Sequence, residues 1–245
     1  MYNFFIKNEN MTTTSAVIDG KDFNHIKNVL RMAVGETLLI SVDGFSHLSE
    51  IEEFTDNAVK VKIIERDFSN TTLPVKIHLY QGLPKSDKME LIVQKAVELG
   101  VTEITPVEMV RSIVKLDDKK KKEKTTRWQA VSESAAKQSK RTEIPTVNPP
   151  IPFKLALQNA KDSFILLPYE NKDGAESLKR ALESISAGQT VSVFIGPEGG
   201  FDDKEIDFAK ENGAVIVSLG KRILRTETAA MLAVGAVMLY SEINL

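Results

Sequence analysis

Three short runs in the last two thirds of the chain are largely apolar and β-branched, SFILLP from Ser163, TVSVFIG from Thr190 and AVIVSLG from Ala214, and a fourth strand-like run, VKIHLYQG from Val75, carries Lys76, His78 and Gln81 among its apolar residues. A strand with one wet face alternates, whereas strands that do not alternate are covered on both faces, as in a parallel sheet between helices. The intervening segments fit that requirement. A helix is expected from Asp87, with Met89, Ile92, Val93, Ala96 and Val97 as its apolar stripe, Asp87 and Glu90 as a capping box and Gly100 as its stop. DDKEIDFAKENG reads as a helix capped by Asp202 and stopped by Gly213, TRWQAVSESAAKQSKR as a basic helix, and TAAMLAVGAVMLYSEI as a long apolar one. Residues 73–245 are therefore expected to form an α/β domain with a mostly parallel sheet.

Residues 1–72 follow a different grammar. TLLISVD, HLSEIEEF and AVKVKIIE are short β segments separated by Gly44 and by Asp56-Asn57, with alternation at Val59, Val61 and Ile63. A small barrel or sandwich is expected, interrupted by one helical stretch, DFNHIKNVLRM.

Composition narrows the chemistry. The 245 residues contain no cysteine, which excludes disulfides, thiolate zinc sites, iron–sulfur clusters and a cysteine nucleophile. No run reaches the roughly 18 apolar residues of a membrane span, and Lys7 and Glu9 break up the N-terminus before a signal-like segment develops, so a cytoplasmic address is expected. The net charge of −2 hides an uneven distribution: residues 111–141 hold 11 basic and four acidic side chains, including Lys119 to Lys122. Such a segment is either a solvated face or a seat for a polyanion.

Ligands of open α/β sheets collect at the carboxyl ends of strands. Three segments leaving strands are punctuated for that purpose: Leu166 to Glu170, Gly196-Pro197-Glu198-Gly199-Gly200, and Leu219 to Arg225. No GxGxxG follows a strand, and Gly213 to Lys221 carries Ser218 where a phosphate loop needs its second glycine. His25, His47 and His78 are scattered without metal-ligand spacing, so no metal site is expected.

The stretches GPEGGFDDKEI and SLGKRILRTETAA, together with HIKNVLRM, LPKSDKMELIVQKAVELGVTEITPV, RSIVK and SESAAKQSKRTEIP, closely resemble the bacterial 16S rRNA (uracil-N3)-methyltransferase family of the SPOUT superfamily. The resemblance implies an N-terminal PUA-like β-barrel for RNA recognition over residues 1–72. It also implies a SPOUT methyltransferase domain over residues 73–245, threaded as a trefoil knot and paired into a homodimer. It places S-adenosyl-L-methionine in the knot, against Leu167, Pro168, Tyr169 and Glu170, against Gly196, Pro197, Glu198, Gly199 and Gly200, and against Leu219, Gly220, Ile223, Leu224 and Arg225. The substrate it implies is 16S rRNA of the small ribosomal subunit.

The chemistry of the residues narrows the methyl acceptor independently. Methylation of pyrimidine C5 ordinarily needs a cysteine to add to C6, which leaves nitrogen and oxygen acceptors. For uracil N3 the ring must lose its N–H proton. Arg225 is a candidate to stabilise charge on a uracil carbonyl, and Glu198 to serve as a base or to order the glycine turn. RNA contacts are expected from His25 and Arg31 and, in the basic segment, from Arg111, Lys115, Lys137 and Arg141. A non-catalytic ribosome-assembly protein and a metabolic enzyme using another adenine nucleotide are the competing readings. The intact glycine segments weigh against the first, and the missing phosphate motifs against the second.

Overall fold

The computed structural model describes residues 1–169 and 174–245. Glu170, named above as a cofactor contact, lies outside the described residues. The chain divides into two compact units, Met1–Thr72 with Ala136–Ile144, and Leu73–Ala135 with Pro145–Leu245.

In the N-terminal unit, β1 (Asn3–Phe5), β2 (Ser15–Asp19), β3 (Thr37–Val42), β4 (Phe45–Phe54) and β5 (Ala58–Ser69) form one sheet in the order β1-β3-β4-β5-β2. Only β1 and β3 pair in parallel. The β3–β4 hairpin turns on Asp43-Gly44, both at positive φ, as a two-residue hairpin requires. Register shifts along β4 and β5 bend the sheet around Ile18, Leu38, Ile40, Ile51, Val59 and Val61. The ladder runs as a path with β1 and β2 at its ends. The three-residue β1 is too short to offer a second edge a long ladder. Helix α1 (Gly20–Asn24) continues as a π-turn over His25–Val29 and places fully buried Ile26 in the same core cluster.

The second unit contains β6 (Lys76–Gly82), β7 (Glu103–Glu108), β8 (Thr146–Val147), β9 (Ile151–Pro152), β10 (Phe164–Pro168), β11 (Thr190–Ile195) and β12 (Val215–Val217). They run in the order β12-β10-β11-β6-β7-β8, with β9 also against β7, and every pairing is parallel. Helices α2 (Lys88–Glu98) and α7 (Thr226–Asn244) pack together, and α7 lies on β6 and β11. On the other face a core of Tyr80, Val107, Phe153, Leu157, Leu167, Phe194 and Ile206 joins the sheet to α4 (Phe153–Asn159) and α6 (Asp203–Glu211). Tyr80 and Phe194, register partners in neighbouring strands, stack with centroids 4.4 Å apart. Helix α5 (Ala175–Glu183) packs against β12 and α7.

Three local expectations change. The Asp87–Glu90 capping box does not form: Asp87 has ψ 12° rather than the extended backbone a cap needs, and Glu90 instead pairs with Arg127 at 2.7 Å. The basic helix α3 (Asp118–Gln138) begins eight residues earlier than its apolar pattern suggests and takes in the lysine run, because Asp117 Oδ1 accepts from Lys120 N–H at 2.8 Å and caps it. The short helices α4 and α5 were not anticipated. By contrast, α6 carries the expected cap: Asp202 accepts from Lys204 N–H at 3.2 Å, and Glu205 accepts from Asp202 N–H at 2.9 Å.

Candidate ligand site at the strand ends

Because β12, β10 and β11 are adjacent and parallel, the three segments singled out from sequence leave the same edge of the sheet side by side. Strand order does this; in sequence the segments are about 20 residues or more apart.

The turn Gly196–Gly200 closes through Gly200 N–H to Pro197 carbonyl, 2.9 Å. Its glycines divide by what surrounds them. A Cβ on Gly196 would stand 3.2 Å from Gly200 Cα, and one on Gly199 would stand 3.0 Å from Arg111 Cβ, so these two make room for protein. Gly200 (φ +68°) and, on the segment after β12, Gly220 (φ +114°) have nothing within 4 Å of where a Cβ would lie, leaving their backbones open to a ligand.

Glu198 faces α2. Its carboxylate accepts from Lys85 N–H at 3.1 Å and meets Lys88 Nζ at 3.1 Å, and Lys88 also reaches Glu227 at 3.3 Å. Burial alone would push the Glu198 carboxyl up, but donors from its own backbone, Lys88 and the Lys85 backbone hold it below the usual carboxylate range. It is therefore an ionised acceptor with little tendency to take a proton.

Leu167 is buried in the core and can offer only its backbone to the edge, whereas Pro168 and Tyr169 are half-buried. Tyr169 N–H bonds to the Val217 carbonyl at 2.9 Å, holding the β10 exit against β12. Ser218 N–H bonds to Ser177 Oγ at 2.9 Å. Beyond it Leu219 and Leu224 are half-buried, Ile223 is 96% exposed, and Arg225 is exposed, its side chain with no hydrogen-bond or ion partner among the described residues. Thr226, one residue on, is enclosed: its hydroxyl donates to the Gly196 carbonyl at 2.6 Å and accepts from Gln81 Nε2 at 2.9 Å. Gln81, Lys88 and Thr226 were not singled out from sequence, and Glu227, expected to pair with Arg222, meets Lys88 instead. The available signal was Gln81 itself, a polar side chain near the carboxyl end of β6, where ligands of such sheets collect.

The expected RNA contacts are dispersed. His25 and Arg31 are exposed in the N-terminal unit, and Arg31 has φ +54°. Arg111 is drawn to the glycine turn, with Nη1 donating to the Gly199 carbonyl at 3.4 Å and Nη2 3.6 Å from Asp202. Lys115 is exposed with no ion partner among the described residues. Two candidates instead serve the packing of the N-terminal unit. Lys137 Nζ binds Asp22 at 2.8 Å, and Arg141 is 7% exposed, with a carbonyl that accepts from Asn3 at 2.9 Å. Burial pulls the Arg141 guanidinium down to about 10, partly opposed by Glu143.

The three histidines lie apart: His25 is exposed, His47 is buried and His78 is half-buried. His78 lines a cavity of about 400 Å³ under the sheet with Tyr80, Glu103, Thr105 and Asn148. Its Nε2 is 2.8 Å from Thr105 Oγ1 and its Nδ1 3.3 Å from Glu103, and burial, partly opposed by Glu103, lowers the ring to about 4. No helix of the described residues is long and apolar enough to cross a membrane.

A family model described as the RNA methyltransferase domain matches residues 71–238, and one described as the RNA methyltransferase PUA domain matches residues 18–64. Over 231 residues the chain is 38% identical to the ribosomal RNA small subunit methyltransferase E of Bacillus subtilis (strain 168), covering 92% of this chain and 90% of that protein. Among solved structures, the ribosomal RNA small subunit methyltransferase E of Neisseria gonorrhoeae bound to S-adenosyl methionine matches with TM-score 0.82 and 31% identity, over 98% of this chain and 97% of that one. A methyltransferase from Legionella pneumophila in complex with the same cofactor matches with TM-score 0.83 and 31% identity, over 97% and 96%.

Proposed function

The chain belongs to the small-subunit ribosomal RNA methyltransferase E family of SPOUT enzymes, and from that premise we propose that it methylates N3 of one uridine in 16S rRNA with S-adenosyl-L-methionine as donor. The observation that carries the reading is the meeting of three segments at one sheet edge, with open backbone at Gly200 and Gly220 and, five residues after Gly220, an exposed Arg225 whose guanidinium has no partner among the described residues.

The residues at this edge fit the cofactor. Two positive-φ glycines with open space where a Cβ would lie would let an extended ligand approach the main chain, and half-buried Tyr169 and Leu224 on the same three segments would offer it apolar surface. Pro168, Gly196, Pro197, Gly199, Leu219 and Ile223 complete the proposed cradle, Leu167 contributing through its backbone. When bound, S-adenosyl-L-methionine supplies a sulfonium methyl group open to direct displacement.

The chain's own task is to favour the uracil anion. As N3 gives up its proton to solvent, negative charge spreads onto the ring carbonyls, and the exposed Arg225 guanidinium stabilises it there. Glu198, held ionised by Lys85 and Lys88, orders the glycine turn. Without cysteine no covalent enzyme–RNA adduct of the C5 type can form, so transfer is direct.

The second unit is read as a trefoil knot. Support comes from the path after β12, which starts at the sheet edge beside the β10–β11 connection, where Ser218 meets Ser177, and returns to seat Thr226 at the ends of β11 and β6. A homodimer is supported by α7, whose outer face exposes Leu232, Leu239 and Ile243. In this reading residues 1–72 recognise RNA, residues 73–245 carry out transfer, and the enzyme works in the cytoplasm. His25, Arg31, Arg111 and Lys115 remain as RNA contacts. Incubation with methyl-labelled S-adenosyl-L-methionine and small-subunit RNA tests the reading: label passes to the RNA, and its failure to do so overturns the assignment.

A further inference from the structure

We propose that Gln81 and Thr226 are positioning residues for Arg225, fixing through a buried hydrogen-bond chain the backbone from which its guanidinium reaches the acceptor base. The inference rests on the reading of Arg225 given above.

The chain of bonds has a fixed direction. Gly196 offers a carbonyl, which can only accept, so the single Thr226 hydroxyl proton goes to it, at 2.6 Å. Thr226 Oγ1 must then accept from whatever faces it on the other side, and Gln81 presents Nε2 at 2.9 Å. The second Nε2 proton goes to the Gly82 carbonyl at 2.9 Å. Both amide protons are thereby committed, and Gln81 Oε1, in a residue 0% exposed, is left without a partner among the described residues. An apolar side chain of the same size would avoid that cost, as Ile77 and Leu79 do earlier on the same strand. A buried amide with half of its capacity unused calls for an account beyond packing.

What the amide and hydroxyl hold is the first residue of α7. Thr226 is pinned between the ends of β6 and β11, and Glu227 is drawn toward Lys88 at 3.3 Å, so the two residues after Arg225 are anchored on different sides. The residues before it, Lys221 to Ile223, are exposed. Arg225 is the junction, with an extended backbone (φ −66°, ψ 153°) and an exposed side chain. Its direction is inherited from Thr226, and a shift of about 1 Å at such an anchor is enough to cost transfer rate heavily.

The test uses the full-length enzyme, single-turnover methyl transfer at saturating S-adenosyl-L-methionine, calorimetric cofactor affinity and the thermal midpoint. Thr226→Val, which keeps shape and removes the hydroxyl, is expected to slow transfer roughly 10- to 100-fold while cofactor affinity changes less than about threefold, and Thr226→Ser to recover to within about threefold of the parent. In an Arg225→Ala background the same Thr226→Val change should slow transfer by less than about twofold, because the group it positions is gone. Gln81→Leu, which leaves the Thr226–Gly196 bond in place, is expected to repeat the pattern and serves if Thr226→Val does not fold. Equal slowing in both backgrounds, or a lowered midpoint with an unchanged rate, would overturn the positioning role and leave a merely structural tie. A parent enzyme that transfers no methyl group would overturn the function itself, and this inference with it.

Discussion

Lys88 Nζ lies 3.1 Å from Glu198 Oε1, tying the first turn of α2 to the glycine turn that follows β11. The bond to Glu198 raises the Lys88 ammonium, and the carboxylate in turn sits below its ordinary range. Glu198→Gln should therefore keep an acceptor for Lys85 N–H and lose only the ionic part. Transfer is expected to fall a few-fold, with the shape of the pH–rate profile unchanged, since a group that stays ionised does not take up the proton of the reaction. The linkage sign is set by the lowered carboxyl: its contribution to stability is present above the unfolded value of 4.5 and is lost as pH falls through the folded one. Denaturant midpoints of parent and variant should accordingly converge in acid. A variant that abolishes transfer and flattens the profile would return Glu198 to the role of base.

His78 gives a second pH dependence of opposite chemical type. The unfolded imidazole takes a proton below 6.5, whereas burial withholds it in the folded protein until about 4. The unfolded state thus binds more protons between these values, and stability should fall by up to about 3 kcal/mol as pH drops from 6.5 to 4. Urea midpoints measured across this window should lose that slope in His78→Gln. A variant with the parental slope would place the acid sensitivity elsewhere.

Gly82 closes the end of β6 against Pro197. An added Cβ would stand 2.7 Å from Pro197 N and Cδ and 2.9 Å from Met109 Sδ, with backbone as the obstacle. Gly82→Ala is expected to cost roughly 1–3 kcal/mol and to displace the glycine turn, weakening cofactor binding by at least about tenfold. Calorimetry on the folded variant checks this, and parental affinity would separate the turn from the ligand.

Electrostatic binding of RNA should depend on side chains free to reach it. Lys115 and Lys119 are exposed without ion partners among the described residues, and replacing both by Ala should reduce the slope of log affinity against log salt by about 1 to 2. Arg141→Ala should instead lower the stability of the N-terminal unit and leave the slope alone, because Arg141 is enclosed. The reverse pattern in a filter-binding salt titration would contradict both assignments.

The parallel sheet was legible because β10, β11 and β12 are largely apolar along their length, a property that each strand carries by itself. Their order is carried by no local signal, and the order is what brings Gly200, Gly220 and Arg225 to one edge. Charge counting found the basic segment but could not tell a lysine bound for phosphate from Lys137, which is paired with Asp22, or from buried Arg141. The misplaced start of α3 had a local cause: Asp117 is a cap whose helix has almost no apolar residues in its first two turns, so periodicity begins only later. Gln81 and Thr226 escaped notice because their significance is a contact across 145 positions of sequence.

The central claim is tested most directly by mass spectrometry of the nucleosides of 16S rRNA after reaction with the purified enzyme and S-adenosyl-L-methionine. The expected product is 3-methyluridine at a single site, formed at a single-turnover rate that rises with pH until N3 is ionised in the complex and that falls sharply in Arg225→Ala with cofactor affinity retained. Detection of 5-methyluridine or a 2′-O-methyl nucleoside in its place would contradict the account.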